Sequence, residues 1–248
     1  MEIKDFFAEN ASVALGFSGG VDSSYLFYEA VLNNAHVKAY FVKTAFQPAF
    51  ELEDAKRIAA QIGAEMTIIE ANILADENVS TNPANRCYYC KLKIFGELQK
   101  QAIKDGCKLI IDGSNASDDE DDRPGMKALK ELSVRSPLRE CGITKDEVRK
   151  RSEEAGLFTW DKPAYACLAT RIPTGQAITK DILTRIEAAE DRLFGLGFSD
   201  FRVRVVGDDI AKLQVPESQL KDIMSKRDHI LSVLNPYFKT ILLDMKGR

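Results

Sequence analysis

Short apolar runs alternate along the first half of the chain with longer stretches whose apolar positions recur every three or four residues. The runs "SVALGF" (12–17), "VKAYFV" (37–42), "MTIIEA" (66–71) and "CKLIID" (107–112) have strand length and predict strands, the first and the last of them buried. Between them, "DSSYLFYEAVLNN" (22–34), "ELEDAKRIAAQIGA" (51–64, stopping at Gly63) and "YYCKLKIFGELQKQAIKDG" (88–106) predict helices. Strands that alternate with helices of this length imply βαβ crossovers. The expected fold is therefore α/β: an open, mostly parallel sheet with helices on both faces. Such sheets take ligands beyond the carboxyl ends of their strands, where "GFSGGVDSS" and "DGSNASDDEDDRPG" both fall. A further helix, "TKDEVRKRSEEAG" (144–156), has Thr144 and Glu147 at capping-box spacing and Gly156 at its stop.

After residue 172 the pattern changes. "TKDILTRIEAAEDRLFGLG" reads as a helix, "FRVRVV" and "AKLQV" as strands, "ESQLKDIMSKRDHILSVL" as a helix and "KTILLD" as a last strand. That order describes a small α+β domain. Residues 1–172 are expected as a nucleotide-binding domain and 173–248 as a small substrate or assembly domain. The linker "RIPTGQAIT", with Pro173 and Gly175, lies between them.

Composition narrows the class. Of 248 residues, 45% are apolar and 29% charged, as in a globular protein with a full core. No apolar run reaches the about 20 residues that span a bilayer. "MEIKDFFAEN" shows no secretory signal, so a cytoplasmic location with reduced thiols is expected. Five cysteines, an odd number, argue against a disulfide framework. The formal net charge of −4 disfavours nucleic acid and anionic lipid as partners.

"GFSGGVDSS" is neither a Walker A loop nor a GxGxxG turn, yet its physics is similar. Gly19 and Gly20 let the backbone curl so that several N–H groups converge. Ser18, Ser23 and Ser24 add hydroxyl donors, and the following helix presents its positive end. A plain strand-to-helix turn explains a lone Gly-Gly pair. The full motif after a buried strand points to a phosphate cradle spanning Gly16, Phe17, Ser18, Gly19, Gly20, Val21, Asp22, Ser23 and Ser24, with Asp22 as a Mg²⁺ contact.

"SGGVDSS" resembles the signature of the PP-loop ATP pyrophosphatases, which split ATP into AMP and pyrophosphate by adenylating a carboxylate or carbonyl oxygen. "NPANRCYYCK", "DGSNASDDEDDRPG", "SPLRECGITKDEVR" and "WDKPAYACLATRIPTG" follow in order. Together, over nearly the whole chain, they are similar to the LarE family, ATP-dependent sulfur-inserting enzymes of nickel-pincer nucleotide cofactor synthesis. The resemblance implies a pyridinium mononucleotide substrate whose carboxylate is adenylated and then converted to a thiocarboxylate.

The cysteines raise the question of the sulfur source. The family resemblance implies either a sacrificed cysteine or three cysteines on a [4Fe–4S] cluster that carries exogenous sulfide. Cys87, Cys90 and Cys167 are then the three ligands, leaving one iron open. The rival readings are Cys167 as sacrificial donor, a zinc site and a CxxC redox couple. Zinc lacks a fourth ligand, because His36 and His229 are not at ligand spacing. Cys107 and Cys141 are expected in packing.

Other polar residues complete the expected site. Lys91 is a candidate for phosphate or substrate, with a solvated helix face as its plain alternative. Ser114 and Asn115 sit beyond a strand end, and the resemblance adds Arg123 on the leaving phosphate. Arg202 and Arg204 share one face of "FRVRVV", which by itself reads as an exposed strand face, and the resemblance makes them ligands of the mononucleotide's phosphate. Arg171 and Glu190 are candidates for the same pocket, and Trp160 and Tyr165 for packing. A homo-oligomer is expected, using ATP, Mg²⁺, the cluster and a sulfide donor. A PP-loop tRNA thiolase, an ammonia-using synthetase and a nucleotide sensor are the rival functions.

Overall fold

The computed structural model describes residues 1–118 and 124–247. The chain forms two compact units: residues 1–73 with 85–162, and residues 74–84 with 163–248. In order along the chain the elements begin with α1 (Ile3–Glu9), β1 (Ser12–Gly16), α2 (Val21–Leu32), β2 (His36–Lys43), α3 (Ala49–Ile62) and β3 (Met66–Glu70). Then come α4 (Glu77–Ser80), α5 (Arg86–Lys104), β4 (Ile110–Ile111), α6 (Pro124–Glu131), α7 (Pro137–Glu140) and α8 (Lys145–Glu154). The chain ends with α9 (Lys180–Gly195), β5 (Arg202–Val206), β6 (Ile210–Gln214), α10 (Leu220–Ser225), α11 (Arg227–Leu234) and β7 (Thr240–Leu243).

The first unit holds a parallel sheet in the order β3-β2-β1-β4. Strand alternation assigns its side chains to two cores, one on each face. Val13, Leu15, Ala39, Phe41 and Ile111 pack with α1, α2, α3 and α8. Ala14, Tyr40, Val42 and Ile110 pack with α5 and α6. The expected α/β class, with helices on both faces, is the one observed. The capping box also forms: Glu147 N donates to Thr144 Oγ1, and Thr144 N donates to Glu147 Oε2 at 2.9 Å.

Strand 107–112 is shorter than expected. Cys107 N donates to Ala102 O and Gly106 takes φ +78°, so the residues after α5 are spent on closing that helix. Ile110 and Ile111 pair with β1, and Leu109 O accepts from Ala14 N at 2.8 Å.

The second unit has a three-stranded sheet in the order β5-β6-β7. β5 and β6 are antiparallel, and β6 and β7 run parallel. Val203, Val205, Ala211 and Leu213 are buried on one face. The expected helix 217–234 is broken, with α10 ending at Ser225 and α11 beginning at Arg227. The sequence pattern changes at 172, whereas the second unit begins at Pro163 and takes in residues 74–84. Backbone bonds explain that grouping: Gly175 N donates to Asn82 O and Ile178 N to Ser80 O. No described helix is long and apolar enough to cross a membrane.

Candidate active site

β1 passes to β2 on one side, while β4 lies on its other side. The carboxyl ends of β1 and β4 therefore face a topological switch point, where open α/β sheets leave a crevice. A cleft of about 400 Å³ opens there. Ser18, Gly20, Asp22 and Ser23 form one wall, Asp112, Gly113, Ser114 and Asp118 another. Cys87 and Lys91 from α5 and Gly125 from α6 complete it.

The loop after β1 is shaped by glycine. Gly19 has φ +71°, and a Cβ there would stand 3.0 Å from the Ala55 backbone nitrogen. Gly20 N-caps α2, so the positive end of that twelve-residue helix points into the cleft. Ser18 N donates to Ser23 Oγ (3.3 Å), and Ser23 Oγ donates to Gly20 O (3.2 Å), which closes the loop on itself. Gly16, Phe17 and Val21 do not line the cleft: Phe17 and Val21 are core residues, and Gly16 packs against the Phe95 ring. Ser24 is fully buried, and its Oγ has no hydrogen-bond partner among the described residues.

The loop after β4 lies against the first turn of α2. A Cβ on Gly113 would come within 2.8 Å of Ser23 N, so only glycine allows this approach. Asp112 accepts from Ser136 Oγ and from Ser114 Oγ, each at 2.6 Å. Asn115 is buried and donates from Nδ2 to Asp22 Oδ1 at 3.1 Å. The other Asp22 oxygen, Oδ2, is paired with Lys145 Nζ at 2.5 Å. Asp22, Asp112 and Asp118 thus bring three carboxylates to the lining beside a helix N-terminus. Mg²⁺ takes one or two carboxylates beside phosphate oxygens, and Asp22, at the head of α2, is the carboxylate of this lining that fits it. Arg123 lies outside the described residues.

Cys87 and Cys90 stand one turn apart at the start of α5. Cys87 is exposed and lines the cleft, while Cys90 is 7% exposed and receives an N–H from Arg86 Nη1 at 3.9 Å. Lys91 lies 5.0 Å over the Phe95 ring, and a Cβ on Gly125 would stand 3.2 Å from its Cγ, so α6 packs closely on this lysine. Cys107 is in the core and Cys141 half-buried, with burial pushing the Cys141 thiol up. All five cysteines are thiols. Within neither unit do three or more His, Cys, Asp or Glu side chains gather to hold a metal ion, among the described residues.

Cys167 belongs to the second unit, immediately before a short 3₁₀ turn, Leu168–Arg171. Arg171 and Glu190 are each 1% exposed and form a bidentate pair, Nε–Oε1 2.9 Å and Nη2–Oε2 3.0 Å. Glu190 also accepts from Val203 N (2.9 Å) and from the Tyr165 hydroxyl, whose ring faces the Arg171 guanidinium at 4.4 Å. The partnership of Glu190 holds the Arg171 pKa up against the desolvation that lowers it. Arg202 and Arg204 alternate on one face of β5, opposite Gln214 and Lys212. Arg204 donates to Gln214 and, at 2.6 Å, to Thr170 O.

Asp112, Gly113, Asp118 and Gly125 lie in "DGSNASDDEDDRPG" and Lys145 in "SPLRECGITKDEVR", stretches the sequence marks as a whole without naming these residues. Asp112 carried a signal, since it ends a predicted strand at the ligand-facing edge. Lys145 carried a weak one, a lysine in the first turn of a helix, where the dipole favours acids.

No family model matches the chain. An uncharacterized protein of Synechocystis sp. is 38% identical over 250 residues, 99% of this chain and 92% of the relative. The pyridinium-3,5-bisthiocarboxylic acid mononucleotide synthase of Lactiplantibacillus plantarum is 32% identical over 238 residues, 95% of this chain and 86% of that enzyme. The tRNA-specific 2-thiouridylase MnmA of Thermotoga petrophila is 27% identical over 193 residues, 60% of this chain and 54% of its own. A PP-loop at the sheet's switch point and a match to the synthase over 95% of the chain agree: the chain belongs to the LarE family, that of the pyridinium-3,5-bisthiocarboxylic acid mononucleotide synthases.

Proposed function

We propose that the protein is an ATP-dependent sulfurtransferase acting on a pyridinium biscarboxylic acid mononucleotide. The observation that carries this reading is the single cleft in which the PP-loop, three carboxylates, Lys91 and Cys87 meet. A carboxylate oxygen of the substrate attacks the α-phosphorus of ATP, and pyrophosphate leaves. The amides at the head of α2 and the hydroxyls of Ser18 and Ser23, together with Lys91, stabilise the departing charge. Asp22 would contact a Mg²⁺ carried by the phosphates, and that ion would screen their charge. Hydrosulfide then adds to the acyl carbon, and AMP departs with the bonding pair to leave the thiocarboxylate.

Cys87, Cys90 and Cys167 are assigned as thiolate ligands of a [4Fe–4S] cluster, supported by the family resemblance and by the helical spacing of the first two. When bound, that group supplies sulfide. The second unit, with Arg202 and Arg204 in one row, is assigned to the mononucleotide's phosphate.

The test mixes anaerobically prepared protein, ATP, Mg²⁺ and the biscarboxylic acid mononucleotide. Substrate-dependent pyrophosphate release and a thiocarboxylate product are expected, and their absence refutes the reading. Alanine at Cys87, Cys90 or Cys167 removes bound iron and stops thiocarboxylate formation, with pyrophosphate release continuing. Loss of hydrogen sulfide from the intact mass of the protein after turnover would assign Cys167 as a sacrificial donor instead. A tRNA thiolase would bind bulk tRNA with a steep salt slope in a filter assay.

A further inference from the structure

Lys145 is the first residue of α8, where the positive end of the helix dipole opposes a cation and the neighbouring Asp146 and Glu147 are the favoured type. Its side chain reaches away from its own helix to Asp22, Nζ–Oδ2 2.5 Å, with the two side chains only 31% and 23% exposed. The contact closes a ring of hydrogen bonds. Lys145 N donates to Ser117 Oγ (3.0 Å), Ser117 N donates to Asn115 Oδ1 (2.9 Å), and Asn115 Nδ2 donates to the second oxygen of Asp22 (3.1 Å). The ring joins the heads of α2 and α8 through the loop after β4. It sets one ammonium against a carboxylate at the mouth of the phosphate cradle.

Charge gives the pair its meaning. The lining of the cleft carries Asp22, Asp112 and Asp118 against Lys91. Asp112 has hydroxyl donors from Ser114 and Ser136. A polyphosphate entering without a metal therefore meets uncancelled negative charge, except where Lys145 neutralises Asp22.

We propose that Lys145 is a charge-compensating and positioning residue that occupies Asp22 in the metal-free cleft and gives way to the divalent cation arriving with the phosphates. The Lys145–Asp22 pair thereby sets how strongly polyphosphate binding depends on metal. This inference rests on the reading of the cleft as the phosphate site.

The test uses inorganic pyrophosphate as probe, with affinity measured by calorimetry in EDTA and in saturating Mg²⁺. In EDTA, Lys145→Met weakens binding about tenfold, equivalent to about 1.4 kcal/mol, because Asp22 now repels the anion. Lys145→Arg keeps wild-type affinity, which separates charge from folding. The double variant Asp22→Asn with Lys145→Met regains wild-type affinity within about threefold in EDTA, since both charges are gone. In Mg²⁺ the deficit of Lys145→Met closes, because the metal neutralises the freed carboxylate. Equal weakening in both conditions, no weakening, or no recovery in the double variant each overturns the inference while leaving the phosphate site standing. Wild-type protein that binds pyrophosphate in neither condition overturns the phosphate reading itself.

Discussion

Replacing Glu190 by Gln tests the buried pair at the centre of the second unit. Its carboxylate accepts four hydrogen bonds: from Arg171 Nε, Arg171 Nη2, Val203 N and the Tyr165 hydroxyl. Gln keeps the volume but removes the charge and turns one acceptor into a donor that faces Arg171 or Tyr165. Arg171, at 1% exposure, is left as an uncompensated buried cation. Breaking such a pair from one side costs about 3–5 kcal/mol, because desolvation of the survivor is no longer offset. The bonds from Arg171 Nη1 to Ala166 O (2.7 Å) and Thr170 Oγ1 (3.0 Å) survive and keep the cost near the lower end. Urea unfolding followed by far-ultraviolet circular dichroism should show the loss as a lower midpoint at unchanged slope. The double change Arg171→Met with Glu190→Leu should cost much less than Glu190→Gln alone, because no unpaired charge remains. A loss below about 1 kcal/mol for Glu190→Gln would mean that water reaches the pair, since exposed pairs contribute only that much, and would refute the reasoning.

Two further outcomes follow from particular contacts. Gly113→Ala places a methyl 2.8 Å from Ser23 N and 3.2 Å from Asp22 C, both backbone atoms of the cradle, so the loop or the head of α2 must shift. Pyrophosphate affinity should fall at least about tenfold, roughly 1.4 kcal/mol, while circular dichroism stays near wild type. In the second unit, hydrogen bonds from Gln214 and then Lys212 pull the Asp244 carboxyl down from 3.8 to about 2. The sign follows from that depression: the contribution is complete above the ordinary value of 3.8 and is lost as pH falls through about 2. The stability difference between wild type and Asp244→Asn should therefore be present at neutral pH and vanish across that acidic window.

The strands of the first unit were legible because their signal is local. "SVALGF" and "VKAYFV" announce burial on both faces, and the structure sends alternate residues of each to two separate cores. The capping box at Thr144 and the glycine-rich turn were legible for the same reason: each is satisfied by atoms within a few residues. Elements whose ends are set by competition depart from the local pattern. Cys107 is bonded back to Ala102 in the stop of α5 before the strand begins, and the run 217–234 breaks at Lys226. The site's charge arrangement was decided only by tertiary structure. Asp22 meets Asn115 across 93 residues and Lys145 across 123, and Arg171 closes on Glu190 across a turn and a helix. Periodicity names the face a side chain takes, but not the partner that a parallel sheet's crossovers carry to it. Local chemistry determined which residues could cradle a phosphate. The folding of distant segments onto the switch point decided which charges stand around it.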